Sequence, residues 1–189
     1  MIKAIIFDCF GVLASDGWLP FKAKHFTSDS ILLEQAIVLN KHVDAGVISY
    51  DDFIGSVASL ANVPEAEARS AIKHNIRNDA LFDYIRDQLK PTYKIGLLSN
   101  AAEDRLTEMF QADQVALFDA TVLSYQIGAI KPDPVTYQTI ADRLGIDISE
   151  CVFIDDQPKY CEGAALAGMT AIHYQGLSLL KLELNQLFT

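Results

Sequence analysis

Short apolar runs that end at a polar side chain recur along this chain of 189 residues. The first run, Ala4–Phe7, ends at Asp8, and Gly11 follows where the backbone can turn without a Cβ clash. A bounded apolar run of this length is typical of a buried strand. Ligands bind at the carboxyl ends of the strands in an open parallel sheet, so Asp8 is a candidate functional residue.

Two further apolar runs, at residues 93–98 and 151–154, follow the same pattern, and a lysine stands between them in the segment GAIKPDP. If all the strands are parallel, their carboxyl ends lie along one edge of one sheet. We therefore expect one crevice to hold the side chains that follow the runs. These side chains are Asp8, Ser99, Asn100, Lys131, Asp155 and Asp156.

The stretch from residue 15 to residue 89 differs, because its apolar residues recur at helical spacing. Strands and helices alternate again from Pro91 onward, which predicts right-handed crossovers. We expect a doubly wound, parallel, Rossmann-like α/β core of residues 1–14 and 90–189, with a helical insertion at residues 15–89. The predicted helices cover residues 29–45, 49–60, 64–72, 79–89, 101–111, 134–144, 158–167 and 178–187.

Composition limits the partners and the compartment. The formal charge of -10 argues against nucleic acid or an anionic membrane surface as a partner. No apolar stretch approaches the roughly 18 residues of a membrane span, and Asp8 interrupts the first run too early for a signal peptide. An odd count of three cysteines without close spacing indicates neither a disulfide framework nor a zinc site. We expect a cytoplasmic protein, whose oligomeric state the sequence leaves open.

Four motifs in order, FDCFGVL, LLSN, GAIKPDP with Lys131, and VFIDD, resemble the motifs of the haloacid dehalogenase-like superfamily, whose members are mostly phosphatases. The resemblance spans residues 2 to about 169. It implies that the insertion is a small helical cap over the active site, and DAGVISYDDF resembles a recurrent turn of such caps. A cap of this kind can exclude water and select the substrate.

The resemblance also implies a magnesium-dependent reaction at Asp8. The Asp8 carboxylate would attack phosphorus and form an aspartyl-phosphate. Asp8, Asp156 and the main-chain carbonyl of Phe10 would ligate Mg²⁺, and Asp155 would act through a water molecule or from behind these ligands.

The remaining motif residues would bind the substrate, which is expected to be a small phosphorylated metabolite. Ser99 and Asn100 would donate hydrogen bonds to phosphate oxygens, and Lys131 would offset the charge on Asp8 and on the transferred group. Trp18 lies at the junction of core and cap, where we expect it to border the substrate entrance. Cys9 is expected to point away from Asp8 and to pack as a small apolar side chain.

Phe10 departs from the family pattern, because most phosphatases of the family have an aspartate two residues after the nucleophile. That acid contributes roughly 10² to 10⁴ in rate. Three alternatives stay open: a phosphatase limited to good leaving groups or using a cap residue or water as its acid, a haloacid dehalogenase, and a catalytically silent binding protein. Dehalogenases carry an aromatic residue at this position, but this chain has no arginine before Arg69 and keeps the metal-binding acid pair. The retained motif residues favour a phosphatase.

Overall fold

Five strands form one parallel sheet in the computed structural model, which describes residues 1–188. They are β1 (Ala4–Phe7), β2 (Lys94–Ser99), β3 (Ala120–Leu123), β4 (Cys151–Asp155) and β5 (Thr170–His173). The order β3-β2-β1-β4-β5 puts the first strand in the centre, with Ile5 opposite Ile95 and Val152. The prediction of a doubly wound parallel α/β core is confirmed.

Four helices follow β1 and pack mainly on one another. They are α1 (Trp18–Phe26), α2 (Ser30–Asp44), α3 (Tyr50–Ala61) and α4 (Glu65–Ile72). Asp29 begins α2, since its Oδ1 accepts hydrogen bonds from the main-chain N–H groups of Ile31 and Leu32. The apolar faces of these helices form a separate cluster that includes Phe26, Phe53 and Ile54. The sequence analysis predicted no bounds for helix α1.

The next helix packs against the sheet instead of the other insertion helices. Helix α5 (Asp79–Tyr84) continues into a π-helical turn at Ile85–Leu89, and its apolar face joins the cluster on one side of the sheet. The sequence analysis assigned residues 79–89 to the insertion, because helical periodicity alone does not show which surface a helix covers. Packing places these residues with the core, and we propose that the cap ends near residue 78.

The segment after β2 differs from its predicted structure. A helix was expected at residues 101–111, but the chain is irregular up to α6 (Leu106–Met109), which is followed by α7 (Ala112–Val115). The Ala101 main-chain N–H donates to Ser124 Oγ (2.9 Å), and the Leu106 N–H donates to Asp104 Oδ1 (3.1 Å). A helix over residues 101–111 would pair the Leu106 N–H with the Ala102 carbonyl, so the Asp104 side chain takes a donor that this helix needs. Sequence periodicity cannot show such competition.

The two faces of the sheet are covered by the remaining helices, α8 (Ser124–Ile127), α9 (Pro134–Leu144), α10 (Pro158–Ala167) and α11 (Leu177–Phe188), and a 3₁₀ turn occupies Ile148–Glu150. Side chains of β1 alternate, so that Ile5 and Phe7 face the side of α5 and α11, whereas Ile6 faces α9 and α10. No helix of residues 1–188 has the length and apolar character that crossing a bilayer requires.

Candidate active site

Lys131 stands between two carboxylates at the carboxyl edge of the sheet. Its Nζ donates to Asp8 Oδ1 and to Asp155 Oδ2, both at 2.6 Å, and lies 3.3 Å from the Leu98 carbonyl oxygen. Asp8 follows β1 directly, and Asp155 is the last residue of β4. The structure thus brings the predicted nucleophile, lysine and first acid of the pair into one buried contact.

Burial shifts the protonation equilibria of Lys131 and Asp8 in this contact. It disfavours every charged form, but the two carboxylates outweigh it at Lys131 and raise the pKa of the ammonium group above its ordinary value. At Asp8 burial outweighs the attraction of Lys131, and the pKa of the carboxyl is raised. One lysine shared by two carboxylates does not fully neutralise them. A further cation beside Asp8 would favour its ionised, nucleophilic form.

Asn100 holds the lysine in place. Its Oδ1 accepts a hydrogen bond from the Lys131 main-chain N–H (2.8 Å), and its Nδ2 donates to the Lys131 carbonyl (3.3 Å) and to the Tyr160 hydroxyl (3.4 Å). The peptide bond from Lys131 to Pro132 is cis. The Asn100 amide therefore positions Lys131, and its binding of phosphate stays a prediction.

Asp156 supplies an unpaired oxygen beside this contact. Its Oδ2 accepts a hydrogen bond from Gln157 Nε2 (2.9 Å), whereas its buried Oδ1 has no hydrogen-bond partner among residues 1–188. Carboxylate oxygens of Asp8, Asp155 and Asp156 lie within 4.8 Å of one another. An anionic oxygen buried without a donor is costly, and a hard cation is the ligand that such a group of oxygens prefers. These residues fit Mg²⁺.

Both carboxylate oxygens of Asp155 accept hydrogen bonds from the protein. Its Oδ2 accepts from Lys131, and its Oδ1 accepts from the Gln157 main-chain N–H (2.8 Å). This use of both oxygens is in keeping with the expectation that Asp155 acts behind the metal ligands. Gly11 completes the site, since a Cβ there would lie 2.4 Å from Asp156 Cγ and its φ is +97°. The loop after β1 can therefore approach Asp156 only with glycine at this position.

The other predicted residues differ in their access to the crevice. Phe10 and Trp18 line the cavity above Asp8, and Trp18 also packs edge-on against Phe53 at 5.4 Å between ring centroids. Ser99 is buried, and its hydroxyl lies 3.4 Å from the Asn100 carbonyl oxygen without lining the cavity. Substrate contacts by Ser99 and Trp18, and metal binding by the Phe10 carbonyl, stay predictions. Burial, together with the charge of Asp8, raises the pKa of the Cys9 thiol, which disfavours a thiolate nucleophile.

The cavity of about 540 Å³ lies between the sheet edge and the first helices of the insertion. Charged residues outside the predicted site also line it, among them Asp16, Asp44 and Arg105. Asp44 lies in the segment DAGVISYDDF, which the sequence analysis had singled out as a turn, so its position was marked although its chemistry was not. Asp16 and Arg105 belong to none of the four motifs, so nothing in the sequence marked them as site residues.

Comparison with known proteins agrees with this geometry. The family model described as haloacid dehalogenase-like hydrolase matches residues 2–168. A protein of Mycobacterium tuberculosis named Phosphatase MT3486 is 49% identical over 55 residues, which are 29% of this chain and 25% of that protein. The matched segment thus spans about a quarter of that curated relative.

Solved structures share the fold. A HAD family enzyme from Bacteroides thetaiotaomicron, in complex with magnesium and inorganic phosphate, aligns with a TM-score of 0.73 and 23% identity over 95% of this chain and 99% of its own. A 2-haloacid dehalogenase from Pseudomonas syringae aligns with a TM-score of 0.62 and 19% identity over 92% of this chain and 86% of its own. With the family model matched over most of its length and the motif side chains at one sheet edge, the chain belongs to the haloacid dehalogenase-like hydrolases.

Proposed function

We propose that the protein is a Mg²⁺-dependent phosphatase of a small phosphate ester and that Asp8 is its nucleophile. The observation that carries the proposal is the Oδ1 of Asp156, which is buried beside Asp8 and has no hydrogen-bond partner in the described part of the chain. Carboxylates with an oxygen that lacks a hydrogen-bond donor are suited to binding a cation. A cation beside a carboxylate nucleophile would reduce the repulsion between that carboxylate and an anionic phosphate.

The reaction uses the two oxygens of Asp8 differently. Lys131 holds Oδ1, which leaves Oδ2 for attack on phosphorus. The new bond between phosphorus and Asp8 forms as the bond to the leaving oxygen breaks, and water then hydrolyses the aspartyl-phosphate. Lys131 offsets charge on the carboxylate and on the transferred group throughout. Asp8, Asp156 and the Phe10 carbonyl would hold Mg²⁺, which neutralises the approaching anions when bound.

The names of relatives support this choice of reaction. The matched segment of the Mycobacterium tuberculosis protein belongs to a named phosphatase, and the Bacteroides thetaiotaomicron enzyme was solved with magnesium and phosphate. A cavity of about 540 Å³ suits a small phosphorylated metabolite. The charge of -10 disfavours nucleic acid, and the cysteine count favours a reducing, cytoplasmic setting.

The test is phosphate release from a panel of alkyl and aryl phosphomonoesters, with Mg²⁺ and with EDTA. We expect release only with Mg²⁺ and its loss in Asp8→Asn, since the amide is not a nucleophile. Asp142→Asn, an exposed residue on α9, is the matched control and should keep wild-type turnover. No metal-dependent release from any ester, aryl phosphates included, would contradict the proposal.

A second candidate rests on Phe10, which lines the cavity where a phosphatase would place its acid. A halide needs no proton to leave, so a haloacid dehalogenase would need no acid here. The same panel should therefore include 2-haloacids in EDTA. Halide release that depends on Asp8 and not on Mg²⁺ would favour this candidate over the phosphatase.

A further inference from the structure

Asp44 is the last residue of α2, and it lines the same cavity as Asp8 and Phe10. Two contacts hold it there. The Ser124 hydroxyl donates to the Asp44 main-chain carbonyl and accepts from the Ala101 N–H (2.9 Å), which ties the end of α2 to the loop after β2. Gly46 packs so closely that a Cβ there would lie 2.9 Å from the Tyr125 carbonyl oxygen. The Asp44 carboxyl is therefore fixed on the cap side of the cavity.

The surroundings of Asp44 favour its protonated form. Burial and the charge of Asp16 raise the pKa of Asp44 to about 7, whereas the hydrogen bond from Asn40 and the charge of Lys131 act in the opposite direction. Its place at the C-terminus of α2 adds to the rise, because the helix dipole disfavours an anion there. Asn40 Nδ2 donates to Asp44 Oδ2 (2.6 Å), and no hydrogen bond within residues 1–188 reaches Oδ1. That oxygen is left to carry a proton.

Asp16 has a different environment. Its Oδ1 accepts a hydrogen bond from the Trp18 main-chain N–H (2.7 Å) at the beginning of α1, where the helix dipole favours an anion. Burial nevertheless raises its pKa, against the helix N–H groups. Two neighbouring carboxyls whose surroundings differ in this way are suited to unlike protonation states. The other charged groups that line the cavity are the carboxylates of Asp8, Glu103 and Asp156 and the cations of Lys22, Lys41, Arg105, Lys131 and Lys159.

We propose that Asp44 is the general acid that protonates the leaving oxygen, the role that Phe10 cannot serve. The inference rests on the phosphatase function proposed above. Asp8 attacks from the floor of the cavity, so an in-line leaving oxygen departs toward the cap, where Asp44 lies. As the bond from phosphorus to this oxygen breaks, the proton on Asp44 Oδ1 passes to it and releases an alcohol. The Asp44 carboxylate then accepts a proton from the water that hydrolyses the aspartyl-phosphate.

The test compares kcat/KM for alkyl and activated aryl phosphates, since only a poor leaving group needs an acid. We expect Asp44→Asn to lower kcat/KM for alkyl phosphates by about 10²-fold or more and for aryl phosphates by less than about tenfold. The wild-type kcat/KM for alkyl phosphates should fall as the pH rises above about 7, where Asp44 loses its proton, and this fall should be absent in Asp44→Asn. Asp51→Asn, an exposed acid on α3 that pairs with Arg69, is the matched control and should change neither.

The outcomes separate this inference from the proposed function. Equal losses for alkyl and aryl esters in Asp44→Asn, or no loss, would overturn the role of Asp44 while metal-dependent turnover upheld the phosphatase. The same selective loss in Asp16→Asn instead of Asp44→Asn would assign the acid to Asp16 and overturn the inference. A wild-type protein without turnover of any ester would overturn both.

Discussion

Lys131 is the residue on which the charge balance of the site depends. Its Nζ is the cation that contacts both Asp8 and Asp155, and all three side chains are buried. We expect Lys131→Met to lower the free energy of unfolding by about 3–5 kcal/mol, since two carboxylates are left buried without their partner. Urea denaturation in EDTA measures this loss.

The loss of stability in Lys131→Met should be larger at high pH than at low pH. Without Lys131, burial and the charge of Asp155 hold the folded-state pKa of the Asp8 carboxyl above its unfolded value, so the penalty is present at high pH and is relieved as the pH falls through the folded-state pKa. Lys90→Met is the matched control, because Lys90 pairs with Asp119 at a partly exposed site, and its cost should stay within about 1 kcal/mol. Equal losses in the two variants would contradict the account of Lys131.

At the scale of secondary-structure elements, the Ser124 hydroxyl connects three of them. It accepts from the loop after β2, donates to the end of α2, and belongs to the first residue of α8. Ser124→Ala should lower the free energy of unfolding by about 1–3 kcal/mol, because the buried Ala101 N–H loses its partner. Urea denaturation measures the change. Ser149→Ala, which removes an exposed hydroxyl that donates to Asp147, should change the free energy of unfolding by less than about 0.5 kcal/mol.

The elements that could be predicted from the sequence are those with local signals. Strand β1 and helix α9 were predicted with their observed bounds, because their signals are local: an apolar run for the strand, and for the helix Pro134 at its beginning and Gly145 after its end. The helix expected at residues 101–111 was wrong, because the chain is irregular up to Leu106 and Asp104 Oδ1 takes the Leu106 N–H that this helix would have paired with the Ala102 carbonyl. Residues 79–89 were assigned to the insertion because their helical pattern does not reveal that the sheet is their partner.

At the scale of the whole molecule, most of the predicted site follows from the parallel topology of the sheet. Once parallel strands were inferred, Asp8, Lys131 and the acid pair had to meet at one edge, and the structure brings them together there. The arrangement on the cap side of the cavity could not be predicted in this way. Asp44 reaches the cavity through contacts between the insertion and the core, and such packing of distant segments leaves no periodic pattern in a sequence.

The insertion and the sheet have separate apolar cores, which predicts that they can open separately. Ile54 belongs to the cluster of the insertion and Ile6 to a cluster of the sheet, and both are fully buried. Each isoleucine-to-alanine change should cost about 2–5 kcal/mol locally. In Ile54→Ala, hydrogen exchange should become faster in α2–α4, while β1 and β4 keep their protection. The fluorescence of Trp18, the single tryptophan, should then change at a lower urea concentration than the circular dichroism signal does. Ile6→Ala should quicken exchange throughout, because the insertion is anchored at both ends to the sheet. Equal quickening of both parts in Ile54→Ala would mean that the molecule unfolds as one cooperative unit.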